Sequence, residues 1–86
     1  METLKTIAID IAHTVFDNDT EAILYVTKDI YSDSFIVSIP ILTFSYEIWE
    51  DNKEMGYSDL LNTDVIASDR RERLVKAIRK GIAEFN

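Results

Sequence analysis

The chain has very few of the residues with which small proteins build long loops or covalent cross-links. Its 86 residues include two Gly, one Pro and no Cys. Disulfides, thiolate zinc sites and thiol catalysis are therefore all excluded. A chain of 86 residues has room for one hydrophobic core, and 47% hydrophobic residues is typical of a folded domain. We expect a single small domain over residues 1–86, built from regular elements with short connections.

Charged residues are divided unevenly along the chain. Residues 1–67 contain thirteen Asp/Glu and three Lys, whereas residues 68–86 contain six Lys/Arg and three Asp/Glu. The formal net charge of −7 repels nucleic acids and anionic membranes at long range, so binding to either would need a local cationic surface. We therefore expect neither direct nucleic-acid binding nor membrane binding.

The sequence predicts a soluble, cytoplasmic protein. Its first residues, Met1 to Lys5, lack the cationic start and continuous apolar run of a signal peptide. The longest apolar candidate, Phe35 to Trp49, is interrupted by polar residues and a proline. It also falls short of the roughly 18–20 apolar residues that a membrane helix needs.

Residues 3–16 fit a helical period better than a strand period. At about 100° per residue, their apolar side chains fall on one broad arc, with Asp10 and His13 on the opposite side. In a strand, Val15 and Phe16 would break the alternation. We therefore predict an N-terminal helix, although the many β-branched residues weaken helix propensity.

The middle of the chain has the alternation and aromatic content of strands. Residues 21–30 and 35–39 predict two strands joined by a polar turn at 31–34. Residues 41–49 alternate strictly and favour a third strand, although this segment could also form an amphipathic helix. Since Pro40 cannot donate to a ladder and no turn residues follow it, residues 35–49 could instead be one long bent strand.

The clearest element is an amphipathic helix over residues 68–85. Ser68 or Asp69 can cap it, and its apolar face contains Leu74, Val75, Ile78, Ile82 and Phe85. Gly81 either permits close packing or is tolerated near the helix end. Before this helix we expect a loop at residues 50–56 and a short helical turn at 58–61.

These elements predict an α+β fold. Its order is an N-terminal helix, an antiparallel sheet of two to three strands and the C-terminal helix, with both helices on one face of the sheet. This element order, and nothing else, is similar to that of double-stranded RNA-binding domains.

No motif in the sequence predicts catalysis or a cofactor. His13 is the single histidine, and no Ser or Thr spacing places a nucleophile beside it. Gly56 and Gly81 are too few and too far apart for a phosphate-binding loop. The acidic run that begins at Asp17 starts like a calcium loop, but Ala22 and Lys28 occupy the positions that require Gly and Glu. We expect a protein that is not an enzyme and holds no metal or cofactor.

Two charged surfaces are candidate binding sites. An acidic patch surrounds the single Trp, with a second acidic group earlier in the chain, and its candidate residues are Glu47, Trp49, Glu50, Asp51, Glu54, Asp17, Asp19 and Glu21. The alternative is the cationic face of the C-terminal helix, with Arg70, Arg73, Lys76, Arg79 and Lys80. Trp is enriched at binding hot spots, whereas cations near a helix C-terminus often only complement the helix dipole.

Composition and charge favour a small acidic binding protein that occupies a basic, nucleic-acid-binding site on a partner. Small acidic inhibitors of phages and mobile elements, and immunity proteins, act in this way. Two other hypotheses remain: a structural or assembly module that forms homo-oligomers, for instance a homodimer, and a nucleic-acid binder that uses the cationic helix.

Overall fold

The protein is a four-stranded antiparallel sheet followed by two helices. The computed structural model describes residues 4–16, 21–64 and 66–85. In chain order the elements are β1 (Leu4–Asp10), β2 (Ile23–Asp29), β3 (Ser34–Ile39), β4 (Phe44–Trp49), α1 (Lys53–Leu61) and α2 (Ser68–Ala83). The α+β class is confirmed, with one more strand than expected.

Neighbouring strands in the sequence are neighbours in the sheet, whose order is β1-β2-β3-β4. The register aligns Ile7 with Val26, Val26 with Val37, and Val37 with Tyr46. One face of the sheet therefore carries a continuous band of apolar side chains. The meander leaves β1 and β4 as its two edges.

The predicted N-terminal helix is wrong. Residues 4–10 form a strand, and the chain then makes a tight turn in which the Val15 N–H donates to the Ile11 carbonyl at 2.9 Å. The strand directs Ile7 and Ile9 toward the helices, and the turn buries Ile11, Val15 and Phe16. A strand followed by one helical turn thus imitates the periodicity of a longer helix, while the β-branched residues favour the strand.

A four-residue connection at Pro40–Thr43 joins β3 to β4. Pro40 begins a 3₁₀ turn that ends at Leu42, and Thr43 has a φ of 50° in the left-handed region. The Thr43 N–H donates to the Pro40 carbonyl at 2.9 Å. Pro40 suits the first turn position because its φ is already fixed. Residues 35–49 therefore form a hairpin and not one bent strand. The strand predicted at residues 41–49 is present as β4, and the helical alternative for that segment is wrong.

The first helix begins earlier than predicted, whereas the second begins at Ser68 as predicted. Residues 50–52 form a 3₁₀ turn, and α1 starts at Lys53, so the expected loop is mostly helix. The predicted helix at 68–85 is present as α2, but Ala67 occupies the N-cap position and neither Ser68 nor Asp69 caps it. The observed element order differs from that of double-stranded RNA-binding domains, since two helices follow four strands.

Both helices pack on the same face of the sheet. Gly56 of α1 lies against Ile48, and Gly81 of α2 lies against Ile9 and Val26. The buried cluster includes Leu24, Phe35, Leu60, Leu74 and Ile78. In β2 and just before it, Ala22, Leu24 and Val26 are buried, whereas Ile30 is exposed after the strand ends at Asp29. The opposite face of the sheet is not covered by either helix.

Candidate functional site

A groove of about 540 Å³ runs between the free edge of β4 and the start of α1. The groove is lined by residues of β4, of the 3₁₀ turn at residues 50–52 and of α1. Its lining residues are Tyr46, Glu47, Trp49, Asp51, Asn52, Met55, Gly56 and Asp59. We call this surface the Trp49 groove.

The alternation of β4 directs Trp49 out of the core. Ile48 is fully buried, whereas the Trp49 side chain on the other face is 52% exposed. Glu47 shares the outer face and is held there by Ser34, whose Oγ donates to Glu47 Oε2 at 2.7 Å. Ser34 is itself buried and is the cross-strand partner of Trp49. The sheet thus fixes an aromatic ring and a carboxylate side by side.

The helical wall of the groove depends on the close approach of α1 to β4. A Cβ on Gly56 would lie 3.1 Å from Ile48 Cγ1, so glycine permits this short separation. Met55 is 62% exposed, and its sulfur accepts a hydrogen bond from the Asn52 amide at 3.4 Å. Together Met55 and Trp49 give the groove an exposed apolar element.

One hydrogen bond ties the two walls together. The Tyr46 hydroxyl donates to Asp59 Oδ2 at 2.6 Å. This bond to the Asp59 carboxylate, assisted by partial burial, raises the pKa of Tyr46 above its ordinary value of 10.0. The Asp59 carboxylate is therefore held at the groove in a defined position.

Charge in the Trp49 groove has a single sign. Glu47, Asp51 and Asp59 are acidic, and none of the eight described residues lining the groove is Lys or Arg. An exposed indole beside carboxylates suits the side chain of Arg or Lys, whose cation can lie over the ring while its charge meets the acids. The arrangement therefore favours a cationic ligand.

Two residues of the predicted acidic patch lie outside the groove. Glu54 forms a two-point ion pair with Arg79 of α2, with N–O distances of 3.1 and 3.2 Å. Glu50 faces a separate cleft that also contains Lys5 and Lys28. The predicted patch is thus reduced to Glu47, Trp49 and Asp51.

The second acidic group does not join the groove. Asp17 and Asp19 lie outside the described residues. Glu21 is exposed and precedes β2 at the opposite end of the sheet from Trp49. Lys28, level with Ile48 across the sheet, is seven residues from Glu21, which corresponds to roughly 23 Å along the strand. The two acidic groups are separate surfaces.

The predicted cationic face is divided among three environments. Arg79 pairs with Glu54 and lies 4.2 Å from the centre of the Tyr57 ring. Arg70 lies over Phe16, 5.5 Å from its ring centre. The remaining three cations, Arg73, Lys76 and Lys80, line a cleft beside β1. The helix therefore presents no single continuous surface of five cations.

Sequence reasoning missed the helical half of the groove. Asn52, Met55 and Asp59 are not among the predicted site residues, because this stretch was expected to be a loop at 50–56 and only a short helical turn at 58–61. Tyr46, which lies on β4, is not among them either. Asp51, Met55 and Asp59 are four residues apart, which is the spacing of one helix face. That spacing was the available signal.

The structure also shows the position of His13 and bears on metal binding and membrane spanning. His13 is exposed and lies in the turn after β1, not on a helix. Within the described residues, no three His, Asp or Glu side chains are placed to hold a metal ion together. None of the helices described is both long and apolar enough to span a bilayer.

Comparisons with known proteins leave the geometry as the basis for a functional conclusion. No protein-family model, curated protein or solved structure matches this chain.

Proposed function

We propose that this is a small acidic binding protein without catalytic activity, and that its Trp49 groove receives a cationic segment of a partner protein. In this proposal the partner segment belongs to a basic, nucleic-acid-binding site, so the protein acts as an inhibitor or decoy. Inhibitors of the phage type and immunity proteins provide the analogy, which rests on size and charge.

The observation that carries the proposal is the exposed Trp49 side chain in a groove that Glu47 and Asp51 also line. A Trp side chain that is 52% exposed leaves a large apolar area in water, and such residues are enriched at binding hot spots. The neighbouring carboxylates favour a cation over an apolar or anionic ligand. A partner Arg would stack on the indole and donate hydrogen bonds to the acids.

The net charge of the chain also supports a cationic partner. At −7, it attracts basic surfaces at long range and accelerates their association at low ionic strength. Salt screens this attraction over about 10 Å at 0.1 M. The proposed complex should therefore form faster and more tightly at low salt.

Fluorescence anisotropy with a labelled peptide of about ten residues, in which Arg and Lys alternate with Gly and Ser, tests the groove. We expect salt-sensitive binding that Trp49→Ala weakens and that Glu47→Gln/Asp51→Asn weakens by about tenfold. Glu54→Gln/Glu84→Gln is the matched control, since it removes two acids outside the groove and should bind like the unaltered protein. An equal loss of affinity in both double variants would show that only net charge matters, and it would overturn the proposal that the groove binds the peptide.

A pull-down from lysate at low and high salt then tests the inhibitor role. We expect a basic protein that is retained by the unaltered chain, lost with Trp49→Ala and released by a duplex oligonucleotide. A partner that binds nucleic acid and the protein simultaneously would contradict the decoy mechanism.

A second candidate function is self-assembly through the uncovered face of the sheet. That face exposes Leu4, Ile23 and Ile36 by 60%, 38% and 37%, and exposed apolar side chains on one surface are typical of interfaces. Sedimentation velocity over a wide concentration range tests it. A monomer at every concentration would eliminate this candidate.

A further inference from the structure

A second cleft, of about 430 Å³, lies where the C-terminal end of β1 meets α2. Its walls include Ile9 and Asp10 from β1 and Arg73, Lys76, Ala77 and Lys80 from α2. The cleft is at the opposite edge of the sheet from the Trp49 groove. Its charge is also opposite, since three of these side chains are cationic.

Two of the cations have no partner within the described chain. Lys76 and Lys80 are both exposed, and neither forms an ion pair or a hydrogen bond with a described residue. The acid in the cleft, Asp10, already accepts a hydrogen bond from the Ala12 N–H at 2.9 Å. In a chain of net charge −7, two adjacent lysines are thus left available to an external anion.

The other wall of the cleft is an unpaired strand edge. Among the described strands, β1 pairs with β2 alone. Its register runs without a bulge from Leu4 to Asp10, so alternate residues direct their N–H and C=O groups away from the sheet. An extended peptide can add to such an edge through main-chain hydrogen bonds.

The spacing of the lysines fits an extended ligand. Lys76 and Lys80 are one helical turn apart, a rise of about 6 Å. Side chains at alternate positions of a strand are about 6.6–6.8 Å apart on one face. A peptide with acids at every second residue can therefore present one carboxylate to each lysine, while Ile9 and Ala77 provide an apolar floor between strand and helix.

We propose that this cleft binds an extended acidic segment of a partner protein, which adds as a fifth strand beside β1 and pairs its carboxylates with Lys76 and Lys80. The strand edge favours a peptide over a nucleic acid, because a nucleic acid has no main-chain groups that complement it. None of the described residues lining the cleft is aromatic, so it also lacks the stacking platform that single-stranded nucleic acids use. The proposal does not depend on the Trp49 groove.

Anisotropy with a labelled peptide of about ten residues, in which Glu alternates with Val or Thr, tests the cleft. We expect Lys76→Gln/Lys80→Gln to weaken binding by about tenfold. The single variants Lys76→Gln and Lys80→Gln are compared with Lys53→Gln, which removes one positive charge from α1 and should leave affinity unchanged. Circular dichroism confirms that each variant is folded.

Amide chemical-shift changes on titration of the same peptide test the added strand. We expect them to concentrate in β1, with intermolecular contacts between the peptide and that strand. Binding without changes in β1 would overturn the proposal, as would an absence of binding at low salt. The protein could also bind a single-stranded oligonucleotide of similar length more tightly than the peptide and lose that binding in the double lysine variant. That result would assign the cleft to nucleic acid and would also overturn the proposal.

Discussion

Gly81 of α2 lies directly against Ile9 of β1. A Cβ on residue 81 would be 2.9 Å from Ile9 Cδ1 and 3.0 Å from Val26 Cγ2. Both distances are shorter than ordinary van der Waals contacts, so the absence of a side chain allows the helix to pack on the sheet. Ile9 also lines the cationic cleft beside β1.

We predict that Gly81→Ala destabilises the protein, although Ala is the better helix former. Helix propensity contributes about 1 kcal/mol in favour of Ala, whereas overpacking costs about 1–3 kcal/mol. We expect a net loss of about 1 kcal/mol in urea unfolding followed by circular dichroism. Ile9→Val removes the contacting Cδ1, so the cost of Gly81→Ala should be smaller in that background; an unchanged cost would contradict the contact.

Adjacent substitutions on β4 should have very different effects. Ile48 is fully buried, and Ile48→Ala should cost about 2–5 kcal/mol of unfolding free energy. Trp49→Ala should cost about 1 kcal/mol or less, because this side chain is half exposed. Since Trp49 is the single Trp, acrylamide quenching of its fluorescence measures the exposure directly. A strongly protected indole would show that the register of β4 is wrong.

Replacement of Thr43 by Gly should stabilise the β3–β4 hairpin. Thr43 adopts a φ of 50°, which costs a β-branched residue about 1–2 kcal/mol. Gly removes that cost but loses more conformational entropy on folding, so we expect a gain of about 0.5–1 kcal/mol in urea unfolding. Thr43→Ala is the matched control, because it removes Oγ1 and Cγ2 but keeps the Cβ that disfavours a positive φ. Equal stability of the two variants would contradict the strain.

Stability should decline at alkaline pH. Burial raises the pKa of Tyr57 above its ordinary value of 10.0, which outweighs the lowering by nearby Arg79. The unfolded chain therefore releases this proton first, and stability is lost as the pH rises above 10.0 and through the folded pKa. Urea unfolding at a series of pH values should show a smaller decline for Tyr57→Phe. A decline as large as that of the unaltered protein would assign the effect to other groups.

Several elements were predictable from local pattern alone. Alternating apolar residues predicted β2 and β3 to within about two residues, because each strand has one buried face. The predicted helix at 68–85 differs from α2 by two residues at its end, since a long amphipathic pattern bounded by polar residues specifies a helix.

The predictions for two other segments were wrong, because contacts between distant parts of the chain decide their conformation. In residues 3–16 a strand and a turn together imitate helical periodicity, and pairing with β2 decides in favour of the strand. Residues 50–56 have weak helical patterning, and α1 packs on β4 with Gly56 close to Ile48. In both cases long-range packing outweighs intrinsic propensity.

By itself the sequence determined the α+β class, the core face of the C-terminal helix and the acidic residues that flank Trp49, since periodicity and charge are properties of the chain. Only the tertiary structure decided which charges remain available. It pairs Glu54 with Arg79 across 25 residues, directs Glu50 to another cleft and brings Asp59 to Tyr46. The reason is that an ion pair or a groove depends on the distance between separate elements, and that distance is set by how the helices pack on the sheet.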